Sequence, residues 1–350
     1  LLAEAKGAQH ILPEEDGASL LLADAYKARW RKKALPLVSI MIPTYNRPEF
    51  FELALQSALR QDYENLEIIV CDNSTDDRTK SLVEKYLGDS RLYYKRNKEA
   101  KTKEENFAPF EHLAQGEYLQ WLMDDDILLD GKISKMMRAF RENPAASLVT
   151  SRRALIDENG CFLENIHVSG VPESEAEYSV FRAEDAGRET LVNIRNFLGE
   201  PSAVIFRRAD LKNHYWQAES RSYRTISDIA MWLELLEKGD CIFFQKPLSC
   251  YRRHAAQEGQ QAAVVLLSRL EWLRLIEEYY ERRIFLTSEE EYRRPLELLY
   301  GEYLEQRDYF DRAAAGEYWQ KYEEAMRGIR RVLENLKKKE RAHGKRKGKR

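Results

Sequence analysis

The chain has 350 residues, of which 43% are hydrophobic, 11% aromatic and 33% charged, with a formal net charge of −3. That supply of apolar residues supports a real core, and the near-neutral balance excludes a protein whose whole surface is built for nucleic acid. No run reaches the roughly 18 apolar residues of a membrane span, and there is no signal-peptide pattern.

From the N-terminus, residues 1–35 are mixed in character, and a helix is expected around Ala18 to Lys33. The chain opens on Leu1-Leu2 without a methionine, which reads as a piece of a longer protein. From Leu37, short apolar runs alternate with amphipathic segments. Val38 to Ile42 reads as a buried strand closed by Pro43, and Phe50 to Arg60 as a helix. Leu66 to Cys71 is a second strand, Arg78 to Tyr86 a helix, and Arg91 to Tyr94 a third strand. Asn106 to Ala114 reads as a helix leading into a fourth strand, Tyr118 to Met123. Strict alternation at this period predicts βαβ units, a mainly parallel sheet and helices on both faces.

Beyond residue 150 the strand signals thin, with Ser202 to Phe206 and Cys241 to Phe244 the best candidates. From about Gln261 the chain reads as helical. Trp272, Leu275, Ile276 and Tyr279 form one apolar stripe, and Tyr318, Tyr322, Met326 and Ile329 another. Lys337 to Arg350 is a basic run expected to be an unstructured, solvated tail. The cysteines, Cys71, Cys161, Cys241 and Cys250, have no CxxC spacing and read as reduced thiols of a cytosolic protein.

Ligands of parallel α/β sheets bind at the carboxyl ends of the strands. Three polar constellations fall there: Pro43-Thr44-Tyr45-Asn46-Arg47, Asp72-Asn73-Ser74-Thr75-Asp76-Asp77, and Asp124-Asp125-Asp126. Three adjacent carboxylates repel one another unless something positive sits among them. Such oxygen-rich clusters suit a hard divalent ion that also holds a substrate phosphate. The plain alternative is a solvated acidic turn.

With these residues in hand, the chain resembles the family 2 glycosyltransferases of GT-A fold over roughly residues 37 to 254. The resemblance rests on Val38 to Arg47, Ile68 to Asp77, Gly116-Glu117-Tyr118 and the Asp124–Asp126 cluster, taken as an ordered set. It implies a GT-A, Rossmann-like α/β fold with a helical C-terminal extension. It also implies inverting transfer of a sugar from a nucleotide-diphosphate donor of UDP, dTDP or GDP type to a glycan or glycolipid hydroxyl, assisted by Mg²⁺ or Mn²⁺.

Position by position, Pro43, Thr44, Tyr45 and Arg47 match the first nucleotide-contacting loop, and Asp72 the carboxylate that reads base or ribose. Asn106 matches a polar helix position near the donor. Asp124 and Asp125 match the ribose and metal contacts of a DxD-type motif, with Asp126 beside them and His254 completing the metal site. Asp228 matches the catalytic base. Read without the family, Asp228 is a helix N-cap, His254 a surface residue and Tyr45 a loop-packing aromatic. Arg252 and Arg253 either neutralise diphosphate or pair with surface acids, and Gly199-Glu200-Pro201-Ser202 shapes the acceptor side.

The departures are a second loop, Asp72-Asn73-Ser74, that lacks the usual glycine, a single acid at Ser227-Asp228, and no Gln-x-x-Arg-Trp after it. The missing last motif, with no membrane span, favours a soluble, single-addition enzyme over a polysaccharide synthase. The resulting division is a 1–35 extension, a 36–258 transferase domain with halves 36–130 and 131–258, a 259–336 helical extension and a 337–350 tail. The C-terminal helices are left as a surface for self-association, and the setting expected is cytoplasmic, peripheral at the inner membrane face, with no nucleic-acid partner. A nucleotidyltransferase would need Gly-x-Gly-Thr-Arg after the first strand. A non-catalytic descendant that binds a nucleotide or glycan is the alternative that stays open.

Overall fold

The computed structural model describes residues 11–12, 35–166, 168, 171, 173–211, 223–254, 262–308 and 316–347, without the side chains of 11–12 and 340–347. The helix expected over 18–33 lies outside the described residues. The strands are β1 (Ile11–Leu12), β2 (Val38–Thr44), β3 (Leu66–Asp72), β4 (Leu92–Arg96), β5 (Tyr118–Trp121), β6 (Ile127–Leu128), β7 (Ala146–Ile156), β8 (Phe162–Asn165), β9 (Tyr178–Phe181), β10 (Ile205–Arg207) and β11 (Asp240–Arg252). The helices are α1 (Pro48–Leu59), α2 (Arg78–Val83), α3 (Lys103–Phe107), α4 (Phe110–Leu113), α5 (Lys132–Glu142), α6 (Ala183–Asn193), α7 (Ser227–Leu236), α8 (Ala262–Glu281), α9 (Glu289–Gln306) and α10 (Glu317–Lys347).

One sheet runs in the order β1-β4-β3-β2-β5-β10-β7-β11-β6, with β8 on β7 and β9 on β11. It is parallel from β1 through β5. Beyond β5 it turns mixed, because β10 runs antiparallel to both β5 and β7. β2 and β3 are buried along their whole length, which is why they read as continuous apolar runs rather than alternating ones. Pro48 opens α1, where a missing N–H costs nothing, and Phe51, Ala54, Leu55 and Ala58 form its buried stripe. Pro109 has no N–H to donate, so the single helix expected over 106–114 is two short ones, α3 and α4. Phe107 and Phe110 close on the fully buried Trp121 at ring-centroid distances of 4.8 and 5.1 Å.

The chain forms two compact units. The first comprises Leu1–Phe181, Leu198–Ser222 and Glu234–His254, and the second Arg182–Phe197, Tyr223–Leu233 and Ala255–Arg350. The first holds the sheet. The second is helical: Trp272, Leu275, Ile276 and Tyr279 of α8 are buried as their spacing predicted. Tyr280 of α8 stacks on Tyr292 of α9 with centroids 4.0 Å apart. A capping box, Ser288 with Glu291, starts α9.

The expectation of an unstructured tail from residue 337 is corrected, because α10 runs on to Lys347. Buried Tyr322, Met326, Ile329, Leu333 and Leu336 anchor the helix, and Lys, Arg and Glu propagate a nucleated helix well. Among the described residues no helix is long and apolar enough to cross a membrane.

Candidate active site at the strand ends

The carboxyl ends of β2, β3 and β5 bring the three polar constellations together. Asn46 adopts a left-handed φ of 53°, a conformation asparagine tolerates better than most residues. Its side-chain oxygen accepts Thr75 N at 2.8 Å, and its own N–H donates to Ser74 Oγ at 2.8 Å. Thr44 O accepts Asn73 N at 3.2 Å, so the first and second loops are stitched into one surface.

Asp124 is the hub. Its Oδ2 accepts Thr44 Oγ1 at 3.0 Å and Tyr45 N at 3.3 Å, while Oδ1 lies 3.4 Å from Arg47 NH1. The same guanidinium reaches Asp125 Oδ2 at 3.1 Å, so Arg47 is the positive group among the carboxylates. Burial, then the neighbouring Asp125, push the Asp124 carboxyl up to about 6, against the pull of Arg47. Tyr45 is 52% exposed, so its ring is not packed into the loop.

His254 is buried, with Nε2 3.0 Å from Asp125 Oδ2. Phe50 of α1 supports it at 5.3 Å between ring centroids, and the Arg252 guanidinium lies 4.9 Å from the same ring. Arg252 is fully buried: its N–H donates to Asp126 Oδ1 at 3.1 Å and its Nε to Asp125 O at 2.7 Å. This arginine holds the backbone of the Asp cluster rather than meeting solvent, whereas Arg253 is exposed.

Asp126, expected beside Asp125 as a metal contact, is engaged by Arg252 N–H and by Ser202. Burial, then Asp125, hold its carboxyl well above the usual carboxylate range. Lys132, fully buried on α5, donates to Ser202 O at 2.8 Å and Ala203 O at 2.9 Å, and burial lowers its amine well below the ordinary lysine range. Ser202 Oγ accepts Met123 N at 3.0 Å and so fixes the entry to the cluster. The segment expected to be a strand from Ser202 starts instead as a 3₁₀ turn, Pro201–Ala203.

Asp72 was expected to reach a ligand, but it is fully buried. Its Oδ1 accepts Ser74 N at 2.8 Å, and its Oδ2 accepts Tyr94 OH and Arg96 NH1, both at 2.7 Å. Asn106 is likewise buried, its Nδ2 donating to Cys71 O at 3.1 Å and Thr44 O at 3.4 Å. Both side chains therefore shape the loops from behind. Pro43, inside β2, is buried too.

Among the described residues no group of three or more His, Cys, Asp and Glu side chains is arranged to hold a metal ion. Asp125 Oδ2 and His254 Nε2 are the two donors that converge. One carboxylate and one imidazole suit a divalent ion that takes its remaining ligands from phosphate and water.

Asp228 lies in the second unit. α7 begins at Ser227, so Asp228 sits in the first turn of the helix rather than at its N-cap. Asn196 Nδ2 donates to its Oδ2 at 3.1 Å.

Sequence reasoning missed Arg96, Tyr94, Lys132 and Asn196, whereas Ser202 was singled out, though for the acceptor side. Tyr94 and Arg96, two apart on β4, share the face toward Asp72, a period-2 signal present in the sequence. The others come from distant segments with no local pattern.

The sequence profile of glycosyl transferase family 2 matches residues 39–210. The chain is 37% identical over 113 residues to the GalNAc(5)-diNAcBac-PP-undecaprenol beta-1,3-glucosyltransferase of Campylobacter jejuni, covering 32% of this chain and 37% of that one. It is 28% identical over 206 residues to the Escherichia coli UDP-Glc:alpha-D-GlcNAc-diphosphoundecaprenol beta-1,3-glucosyltransferase WfaP, covering 59% of this chain and 72% of that one. The crystal structure of S. aureus TarS 1-349 in complex with UDP aligns at a TM-score of 0.47 and 17% identity, over 79% of this chain and 73% of that one. The match to the Campylobacter protein, like that to Protein CgeD of Bacillus subtilis at 30%, thus spans about a third of the relative's length. The matched profile covers all three strand-end loops that build the Asp124 hub, so residues 39–210 of the chain form a glycosyl transferase family 2 domain.

Proposed function

We infer that the chain is an inverting glycosyltransferase that moves a sugar from a nucleotide-diphosphate donor to a hydroxyl of a glycan acceptor, the lipid-linked kind named for its relatives being the leading class. The observation that carries this reading is the convergence of Thr44, Tyr45, Arg47, Asp124 and Asp125 at the ends of β2 and β5, inside the family 2 domain, with His254 arriving from just past the end of β11.

Each residue has a chemical part. The exposed Tyr45 ring offers a face for the base to stack on, worth roughly 1–3 kcal/mol. Asp124, held by Thr44 and Tyr45 N–H, accepts from ribose hydroxyls. Arg47, now paired to both carboxylates, is free to swing its bidentate guanidinium onto donor phosphate when one arrives. Asp72, Arg96 and Asn106 keep the loops in shape without touching the ligand. Asp125 and His254 would hold the Mg²⁺ or Mn²⁺, which supplies Lewis-acid stabilisation of charge on the leaving diphosphate.

Asp228 takes the proton from the acceptor hydroxyl as that oxygen attacks the anomeric carbon. The bond to the diphosphate oxygen breaks on the opposite face, so configuration inverts in one step. Asn196 keeps the Asp228 carboxylate oriented.

The test is calorimetric binding of UDP, GDP and dTDP, with and without Mn²⁺, to the wild-type protein and to Asp125→Ala. Metal-dependent binding of one nucleotide, lost in the variant, is the expected result. A folded protein that binds none of the three would overturn the donor site and favour a non-catalytic glycan-binding descendant.

A further inference from the structure

The segment that leads into α7 is held by a side chain from the C-terminal helices. Glu271 of α8 is only 3% exposed. Its carboxylate accepts Arg224 N at 2.7 Å, Thr225 N at 2.8 Å, Thr225 Oγ1 at 2.6 Å and Ile226 N at 3.3 Å. The start of a helix leaves backbone N–H groups without intrahelical partners, and a local Ser, Thr, Asp or Asn usually serves them. Here Ile226, the residue before α7, has no side chain that can accept. The Glu271 carboxylate from another helix instead holds the three residues that lead into α7, 224 to 226.

The grip extends along one face of α8. Arg274 lays its guanidinium 4.2 Å from the Tyr223 ring centroid, and Tyr223 OH donates to Glu278 Oε2 at 3.1 Å. Positions 271, 274 and 278 are spaced i, i+3 and i+7, so they line one side of the helix. Four consecutive residues, 223 to 226, are thus fixed directly in front of Ser227 and Asp228. The Asn196 hydrogen bond then sets the Asp228 carboxylate itself.

We propose that Glu271 is a positioning residue for Asp228, so that the helical C-terminal region is an obligate part of the catalytic apparatus rather than an appendage. This rests on the reading of Asp228 as the general base. Glu271 touches no reacting atom. It fixes where the first turn of α7 begins, and therefore where the proton acceptor stands. An error of about 1 Å in such a group costs on the order of a hundredfold in rate.

Glu271→Gln tests this, because the amide NH₂ turns one acceptor into a donor facing backbone N–H groups while volume is kept. Two measurements are made on the variant. The first is amide hydrogen exchange over 223–233, which should accelerate about tenfold or more while β2 and β3 keep wild-type protection. Unchanged exchange at Thr225 and Ile226 would overturn the clamp whatever the enzyme does. The second is release of nucleoside diphosphate from the donor chosen by calorimetry, with water as acceptor. A drop in kcat of about ten- to a hundredfold is expected, with donor KM within about twofold and the acid limb of the pH–rate profile displaced. A lower rate with an unshifted profile and a raised KM would mark general loosening and sink the positioning role. Should the wild type bind no nucleotide, the glycosyltransferase reading fails on that evidence alone, and the exchange data still decide the clamp.

Discussion

Replacing Arg96 with methionine removes the buried guanidinium that organises the second strand-end loop. Its NH1 donates to Asp72 Oδ2 at 2.7 Å, and its NH2 to Ser74 O at 2.6 Å and Asp76 O at 2.7 Å. The pair is enclosed, with side-chain exposures of 3% for Arg96 and 0% for Asp72. Methionine fills much of the volume, so packing loss is secondary. What remains is a buried carboxylate with only Tyr94 OH and Ser74 N as donors, and two loop carbonyls without theirs. Breaking a buried ion pair on one side costs about 3–5 kcal/mol, which at roughly 2–4 °C per kcal/mol lowers Tm by at least roughly 6 °C. The double variant Arg96→Met/Asp72→Asn removes the orphaned charge and should regain at least about 1 kcal/mol over the single one. Thermal unfolding followed by circular dichroism at pH 7 reads both. A single-variant fall under about 2 °C, or a double variant less stable than the single, would refute the reasoning.

Asp124 makes stability depend on pH with a definite sign. Its carboxyl stands at about 6 in the folded protein against 3.8 ordinarily, so the fold holds the proton more tightly than the unfolded chain. That contribution is full below pH 3.8 and is lost as pH rises through 6, up to about 3 kcal/mol in all. Urea unfolding of wild type and Asp124→Asn between pH 4.5 and 7.5 should therefore show the comparison moving in the variant's favour; a pH-independent difference would contradict it. At Gly116 an added Cβ would lie 2.5 Å from Ser39 Oγ, 2.6 Å from Tyr118 O and 2.7 Å from Ser39 N. Two of those atoms are backbone of paired strands, so Gly116→Ala should cost about 1–3 kcal/mol by urea titration, and a neutral result would mean the strands yield there. Tyr45→Ala should weaken nucleotide binding by roughly fivefold or more without changing Tm, as measured by calorimetry; unaltered affinity would remove the stacking role.

The N-terminal half was legible because β2 and β3 are buried on both faces and so carry uninterrupted apolar runs. The constellations after β2 and β5 were legible because chemistry sits at fixed strand ends, and the Asp124 hub uses residues that lie within a few positions of those ends. β7 was illegible for a physical reason: its buried run Ser147 to Arg153 is rich in Ser, Thr and Arg, which hydrogen-bond and pair inside the fold instead of alternating outward. Thr150 Oγ1 donates to Leu198 O, and Arg153 pairs with Glu200. The inward turn of Asp72 was equally hidden, since its partners Tyr94 and Arg96 arrive from the next strand over. For Asp228, expected as the base with a helix N-cap as the plain alternative, the cap gives way to a first-turn position, a difference of two residues that only the start of α7 could settle. Glu271 had no signature at all, because a carboxylate that holds the approach to another helix looks like any acid on a helical stripe.

The two units are interleaved along the chain, which passes from one to the other at residues 181/182, 197/198, 222/223, 233/234 and 254/255. A ribosome therefore delivers every strand of the sheet well before it delivers α8, α9 and α10. Until then α6, whose Gly187 is shaped to lie flat against the Phe285 ring, waits without its partner. A message cut short after His254 would encode an intact sheet carrying two stranded fragments of a helical unit, 182–197 and 223–233. Such a product would be a client for chaperones and proteases rather than a smaller enzyme, so nonsense changes late in the coding sequence should behave as complete losses.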